Sequence, residues 1–179
     1  SLWSILSKLG VPPKMLKVIQ SLHEGMSAAV RVSTASSDSF PVNNGLRQGC
    51  TLAPVLFNLY FAVVMDAWCS TCKCAGIPVS YKIGRKHVGN RTAKSSLSQC
   101  TITESQFVDD AALYTHSVTD MDAAAALFVT VATQFGLTVS FGKTKCMVIS
   151  ADPPPTGCLT LADGDIEIVN EFTYLGSCI

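Results

Sequence analysis

Residues 106 to 116 read "QFVDDAALYTH", and the adjacent carboxylates of Asp109 and Asp110 sit at the centre of an otherwise apolar run. Neighbouring anions repel, so such a pair needs water, a cation or a chemical use. Two kinds of chemistry fit. Asp is common in hairpin turns, where it stays solvated. A carboxylate pair also suits a hard divalent ion such as Mg²⁺, which takes one or two carboxylates together with substrate phosphates. The four central residues favour the turn, and the choice rests on what surrounds them.

A second cluster with ligand chemistry is "CSTCKC", with Cys69, Cys72 and Cys74. A structural zinc site normally completes itself with a second ligand pair at a set distance. No such pair stands out, and His87 and His116 are isolated in sequence. Eight cysteines in 179 residues fall short of a secreted disulfide scaffold, so reduced thiols and an intracellular location are expected.

These residues are carried by a chain that is 48% apolar and 15% charged, with a mean hydropathy of +0.34. That composition excludes disorder and supports one globular domain or part of one. The high hydropathy suggests that some apolar surface is covered by further sequence or a partner. Formal net charge is zero, so no overall basic signature points to nucleic acid. The charge is uneven, however: no acid lies between Asp66 and Glu104, where Lys73, Lys82, Arg85, Lys86, Arg91 and Lys94 all fall. Such a patch can meet phosphates or simply be solvated. The chain opens "SLWSILSKLG", with neither an initiator Met nor a basic leader, and closes "YLGSCI", so we read it as a segment of something longer. The apolar run Leu52 to Trp68 is interrupted by Pro54, Asn58 and Asp66 and is expected to be a buried helix, with no membrane contact.

The elements that must position the candidates follow from periodicity. Residues 2 to 9 and 13 to 24 are expected to form short amphipathic helices separated by Gly10-Val11-Pro12-Pro13. "AAVRVS" reads as a strand and "TASSDS" as a loop. "IPVSYKIGRKHVG" reads as a hairpin about Ile83-Gly84-Arg85, and a second hairpin carries Asp109-Asp110 at its tip. A helix capped at Thr119-Asp120 should run through "MDAAAALFVTVATQF" to Gly136. "LTVSF" and "KCMVIS" are expected to pair across Gly142-Lys143, "CLTLADGDIEIV" to turn at Asp163-Gly164, and "EFTYLG" to close as a strand. Helices interleaved with mostly antiparallel hairpins give an α+β layered fold.

Several segments, in order, resemble the reverse transcriptases of non-LTR (LINE-type) retrotransposons. "NNGLRQGCTLAPVLFNLYF", residues 43 to 61, resembles motif B of that family; "FVDD" resembles motif C; "FGLTVSFGKTKCMVIS" is similar to motif D. "EFTYLGS" resembles the lead to the primer grip, and residues 2 to 25 resemble the helices that follow motif A. The resemblance implies an incomplete, palm-like antiparallel sheet packed on helices over residues 1–179, with motif A and the thumb outside it. It implies an RNA-directed DNA polymerase that adds dNTPs to a primer 3′-OH on an RNA template, by phosphoryl transfer with two Mg²⁺ (or Mn²⁺) ions.

On that resemblance Asp109 and Asp110 are catalytic metal ligands, and Lys143 is a charge clamp or proton donor at the triphosphate. Gln48, Gly49, Arg47 and Phe107 fall on the nucleotide and template side. Gly45 and Gly49 would let backbone approach a nucleotide. Three features depart from the family pattern: no motif A carboxylate is present, "TITESQ" is more polar than the usual strand, and Ser140 stands where Asn is common. Without the third carboxylate the chain alone is expected not to polymerise. The alternative is a non-catalytic remnant or an RNA-binding module that keeps the basic loop.

Overall fold

A computed structural model describes residues 2–43, 45–47, 49–83, 87–88, 91–92, 96–149 and 157–179. The chain divides into two compact units, Ser1–Asp66 and Ala67–Ile179.

In the first unit, α1 (Leu2–Lys8) and α2 (Pro13–Ser21) are separated where the Pro12-Pro13 pair starts α2, with Pro13 in the first turn, where a missing N–H costs nothing. Leu6 and Ile19 pack with Leu56, and Leu2, Trp3, Val11, Leu16, Leu46 and Leu52 close around them. Four two-residue strands follow: β1 (Ser27–Ala28), β2 (Arg31–Val32), β3 (Ala35–Ser36) and β4 (Phe40–Pro41). β1 pairs with β4 and β2 with β3, so the strand expected at "AAVRVS" is divided between two small ladders. Val30 N–H donates to Ser37 Oγ (2.9 Å), and Ser37 N–H donates to the Val30 carbonyl (2.9 Å), which ties the divided segment together.

The long helix α3 (Ala53–Thr71) begins in this unit and ends in the second. By length and composition it is apolar enough to cross a membrane, with a mean hydropathy of 1.3. Its buried residues Leu56, Phe61, Val64, Met65 and Trp68 recur at helical spacing, the pattern of a core-facing stripe.

The second unit opens with β5 (Ile77–Ile83), β6 (His87–Val88), β7 (Arg91–Thr92) and β8 (Ser96–Ile102). The hairpin expected about Ile83-Gly84-Arg85 is displaced: β5 pairs with β8 and β6 with β7, and both ladders are centred between residues 89 and 90. Ile83, expected at the turn, is paired with Ser96 within the ladder, so the whole of β5 finds a partner; Gly84 and Arg85 lie outside the described residues. Next come β9 (Glu104–Phe107) and β10 (Asp110–Leu113), then α4 (Val118–Gln134).

The cap of α4 is Ser117 rather than Thr119-Asp120. Ser117 Oγ accepts from the Asp120 N–H (3.0 Å) and donates to Asp120 Oδ2 (2.8 Å), an N-cap that satisfies one of the free N–H groups of the first turn. The helix ends as expected, with Gly136 at φ 76° and Leu137 N–H donating to the Ala132 carbonyl.

β11 (Lys145–Met147), β12 (Gly157–Leu161) and β13 (Gly164–Val169) form a sheet of order β11-β13-β12. The expected pairing of "LTVSF" with "KCMVIS" does not form; β11 runs parallel to β13, and residues 137–140 are not strand. Leu159, Leu161 and Ile166 point into a core with Ala125, Val129 and Cys146, while Cys158, Thr160, Asp165 and Glu167 face outward. The turn between β12 and β13 falls as expected beside Asp163. The closing segment is itself a small hairpin, β14 (Thr173–Tyr174) with β15 (Ser177–Cys178), because Leu175 and Gly176 take φ of 50° and 81° and reverse the chain.

Candidate active site

The carboxylate pair sits where local sequence folds it. β9 and β10 pair with Phe107↔Asp110, Ala111↔Gln106, Ala112↔Ser105 and Leu113↔Glu104, which leaves Val108 and Asp109 as a two-residue turn. Asp110 therefore heads β10, on the same ribbon face as Phe107, Ser105 and the small Ala112. Farther along that face Ser105 Oγ and Tyr114 Oη lie 2.9 Å apart, and Tyr114 N–H donates to the Thr103 carbonyl, which closes the ribbon base. α4 packs against β10 from its own side of the unit. Ribbon and helix thus hold a rigid stem beneath an exposed acidic tip.

Val108 carries φ of 55°. A β-branched residue in the left-handed region is a genuine outlier and costs on the order of 1–2 kcal/mol. Two-residue hairpin loops need positive φ at a central residue because that twist matches the strands, and Gly or Asn normally supplies it. Nothing in the sequence announces the strain, since Val at this position argues for continued strand.

Asp109 and Asp110 are exposed, and among the described residues neither makes an ion pair; the salt bridge there joins Lys145 Nζ to Glu167 Oε2 at 2.6 Å, across β11 and β13. Two adjacent carboxylates left without an internal cation are a hard-oxygen donor set, and a divalent ion fits that chemistry. Among the described residues no three His, Cys, Asp or Glu side chains gather to hold a metal, either at the aspartate pair or at Cys69, Cys72 and Cys74.

Lys143 occupies the turn expected for it. The Ser140 carbonyl accepts from Lys143 N–H (3.0 Å), from Thr144 N–H (2.9 Å) and from Thr144 Oγ1 (2.9 Å). The turn is buttressed by Phe141, whose ring lies over Gly164; a Cβ there would stand 2.8 Å from the ring. Gly164 thus makes room for Phe141 as well as following the turn between β12 and β13. The Lys143 side chain is exposed, and no described bond joins it to either carboxylate.

The remaining candidates lie in the first unit. Arg47 is exposed, and its carbonyl accepts from Cys50 N–H at 3.2 Å, a turn that leads into α3. Gly45 and Gly49 have φ of 93° and 82°, so glycine is needed there for backbone conformation. Gln48 lies outside the described residues.

Two further residues hold the second unit together. Trp68, 1% exposed, donates its Nε1–H to the Ala124 carbonyl at 3.0 Å and meets Phe128 edge-on, which fixes the end of α3 to α4. The Cys74 thiol is pushed up from its ordinary value by burial first, then by Cys72 and Asp120, and donates to the Asp120 carbonyl at 3.4 Å. Cys146, buried in the sheet core, is likewise raised by burial.

Against known protein families, residues 1–179 match the reverse transcriptase (RNA-dependent DNA polymerase) family along their whole length. The chain belongs to that family. The mixture of four helices and small, mainly antiparallel sheets is compatible with part of such a domain.

Proposed function

We propose that this chain is the palm portion of a LINE-type retrotransposon polymerase, and that Asp109 and Asp110 hold the divalent ions of its nucleotidyl transfer. The observation that carries the reading is the hairpin tip: two exposed carboxylates, without an ion pair among the described residues, on a turn whose left-handed residue is held by a paired stem. Mg²⁺ bound there would stabilise the attacking primer oxygen and the leaving pyrophosphate oxygens. Lys143, at the buttressed turn, would supply positive charge or a proton to the leaving group. Phe107 beside the tip, with Arg47, Gln48 and Gly49 before α3, would meet nucleotide and template. The partners are an RNA template, a DNA primer and dNTPs.

A third carboxylate completes the set, and we place it on a segment outside residues 1–179; the chain alone is then silent in polymerisation. Fusing a palm strand that bears this Asp ahead of Leu2 should give Mg²⁺-dependent dNTP incorporation on a primed RNA template. In that fusion Asp109→Asn or Asp110→Asn should lower incorporation by more than the roughly 10–100-fold that loss of a group merely supporting a metal ligand costs. Incorporation equal in the fusion and its Asp109→Asn form would sink the assignment. A fusion that binds primed RNA but never extends it would instead support a non-catalytic, RNA-binding remnant.

A further inference from the structure

The first unit contains a cleft whose lining includes neither the aspartate pair nor Lys143. It is a cavity of about 610 Å³, within the range of small-molecule sites, which runs from roughly 300 to 1,000 Å³. It lies between α1, the turn after α2 and the segment 42–46, so its lining residues belong to one compact unit. Leu2, Trp3, Met26, Val42 and Leu46 give it apolar walls, and Leu2, Trp3 and Leu46 also pack on the buried core of Leu6, Ile19 and Leu56. Val42 N–H donates to the Met26 carbonyl at 2.8 Å, which ties two of the walls together. The cleft is thus anchored to a core by its own walls.

His23 belongs to this lining and stands in the turn that follows α2, where its N–H donates to the Gln20 carbonyl at 2.9 Å. Its Nδ1 lies 2.8 Å from the Ile19 carbonyl. A carbonyl only accepts, so Nδ1 carries the proton and Nε2 of the neutral ring is left as an acceptor. That Nε2 is buried, and no hydrogen-bond donor reaches it among the described residues. Buried acceptors nearly always have a partner, because one left unmet loses its water without compensation. Trp3 meets the imidazole edge-on, with ring centres 5.6 Å apart and planes at 67°, so the surroundings of the orphaned nitrogen are aromatic. Glu24 also lines the cleft, and no Lys or Arg joins it among the described residues. A phosphate would meet an anion there and no countercharge, which argues against a nucleotide.

We infer that this cleft binds an uncharged, fused-ring aromatic molecule that carries an N–H or O–H, with its ring against Trp3 and its donor on His23 Nε2. The unmet acceptor requires a donor. The apolar walls and the indole of Trp3 suit a flat ring, since aromatic pairs favour edge-on and offset contacts. A dry cavity of about 150 Å³ already takes benzene, so this larger cleft has room for two fused rings. The Glu24 carboxylate disfavours anions. The site stands apart from Asp109, Asp110, Lys143 and residues 47–49, and it rests on none of their roles.

Titration of residues 1–179 with indole tests it, against benzofuran, which keeps the shape and lacks the N–H. Binding is followed by nuclear magnetic resonance of the backbone amides and of the His23 ring nitrogens. We expect saturable indole binding with a Kd of about 1 mM or tighter, a moved Nε2 resonance, and benzofuran weaker by at least about fivefold, the worth of one neutral hydrogen bond. Excess dATP should not displace indole. His23→Asn keeps an N–H for the Ile19 carbonyl and lacks Nε2, so indole and benzofuran should bind it alike. Met26→Trp fills the cleft and should abolish binding of both, with circular dichroism confirming that each variant is folded. A smaller preference for indole in the parent chain, or no saturable binding of either compound, overturns the proposal without recourse to a variant. Displacement of indole by dATP also overturns it, in favour of a nucleotide site. An indole preference that survives in His23→Asn, or binding that survives in Met26→Trp, does the same for the assigned acceptor and place.

Discussion

The strained Val108 gives a prediction whose sign is unusual. At φ 55° any residue with a Cβ pays about 1–2 kcal/mol, while glycine pays nothing there. Val108 is 39% exposed, so truncating it also removes some packing, and a single variant would mix the two effects. Val108→Ala and Val108→Gly lose the same methyl groups beyond Cβ, so the difference between them isolates the backbone. In an ordinary strand Gly would be the less stable by roughly 0.5–1 kcal/mol. Here Gly should be the more stable, by about 1 kcal/mol. For a chain of this size that corresponds to a Tm higher by about 2–4 °C, readable by thermal or urea denaturation followed by circular dichroism. Val108→Gly should at the same time weaken divalent binding, because the turn that presents Asp109 and Asp110 loses its fixed backbone. Ala equal to or more stable than Gly would refute the strain and the turn built on it.

Further outcomes follow from the same structure. Gly76→Ala would drive a Cβ into the Ile102 carbonyl and Thr103 at the ribbon base, and we expect a loss of about 2 kcal/mol or more in urea unfolding. Gly164→Ala should displace Phe141 and loosen the 140–144 turn; the Lys143 amide should then exchange hydrogen faster while α4 amides do not. Trp68→Phe keeps most of the ring but removes the bond to the Ala124 carbonyl, so stability should fall by about 1–2 kcal/mol. Cys146 titrates above its ordinary 9.0 when folded, so its contribution is fully present below pH 9 and is lost as pH rises beyond it, when the unfolded thiol ionises first. Replacing Cys146 by Ala should therefore flatten the alkaline limb of the stability profile.

What the sequence made legible was local. A polar break at Asp109-Asp110 and period-two alternation about Asp163-Gly164 place both hairpins, with each turn one residue earlier than the pair named. The helix ending at Gly136 was equally plain, although its cap moved to Ser117, whose hydroxyl reaches the Asp120 N–H. Non-local choices were not legible. β11 takes β13 as a parallel partner, with Lys145 opposite Glu167, a pairing distant in sequence that no local pattern announces. Ile83, expected at a turn, is paired with Ser96 instead, because a local break in the pattern does not reveal how far the paired strands extend. In the candidate site, the adjacent aspartates stood out by residue type, while a metal role for them and any role for Lys143 came from the resemblance to motifs C and D. The left-handed Val108 did not stand out, since Val is a strand former and carries no turn signal.

The central claim is that Asp109 and Asp110 gather a divalent ion. Mn²⁺ binding to residues 1–179, followed by electron paramagnetic resonance at millimolar metal, tests it most directly against the Asp109→Asn/Asp110→Asn protein. We predict a bound fraction in the parent chain that disappears in the double variant while the circular dichroism of the two stays the same. Equal Mn²⁺ uptake by both proteins, or none by either, would contradict the metal assignment and leave the pair as a solvated turn.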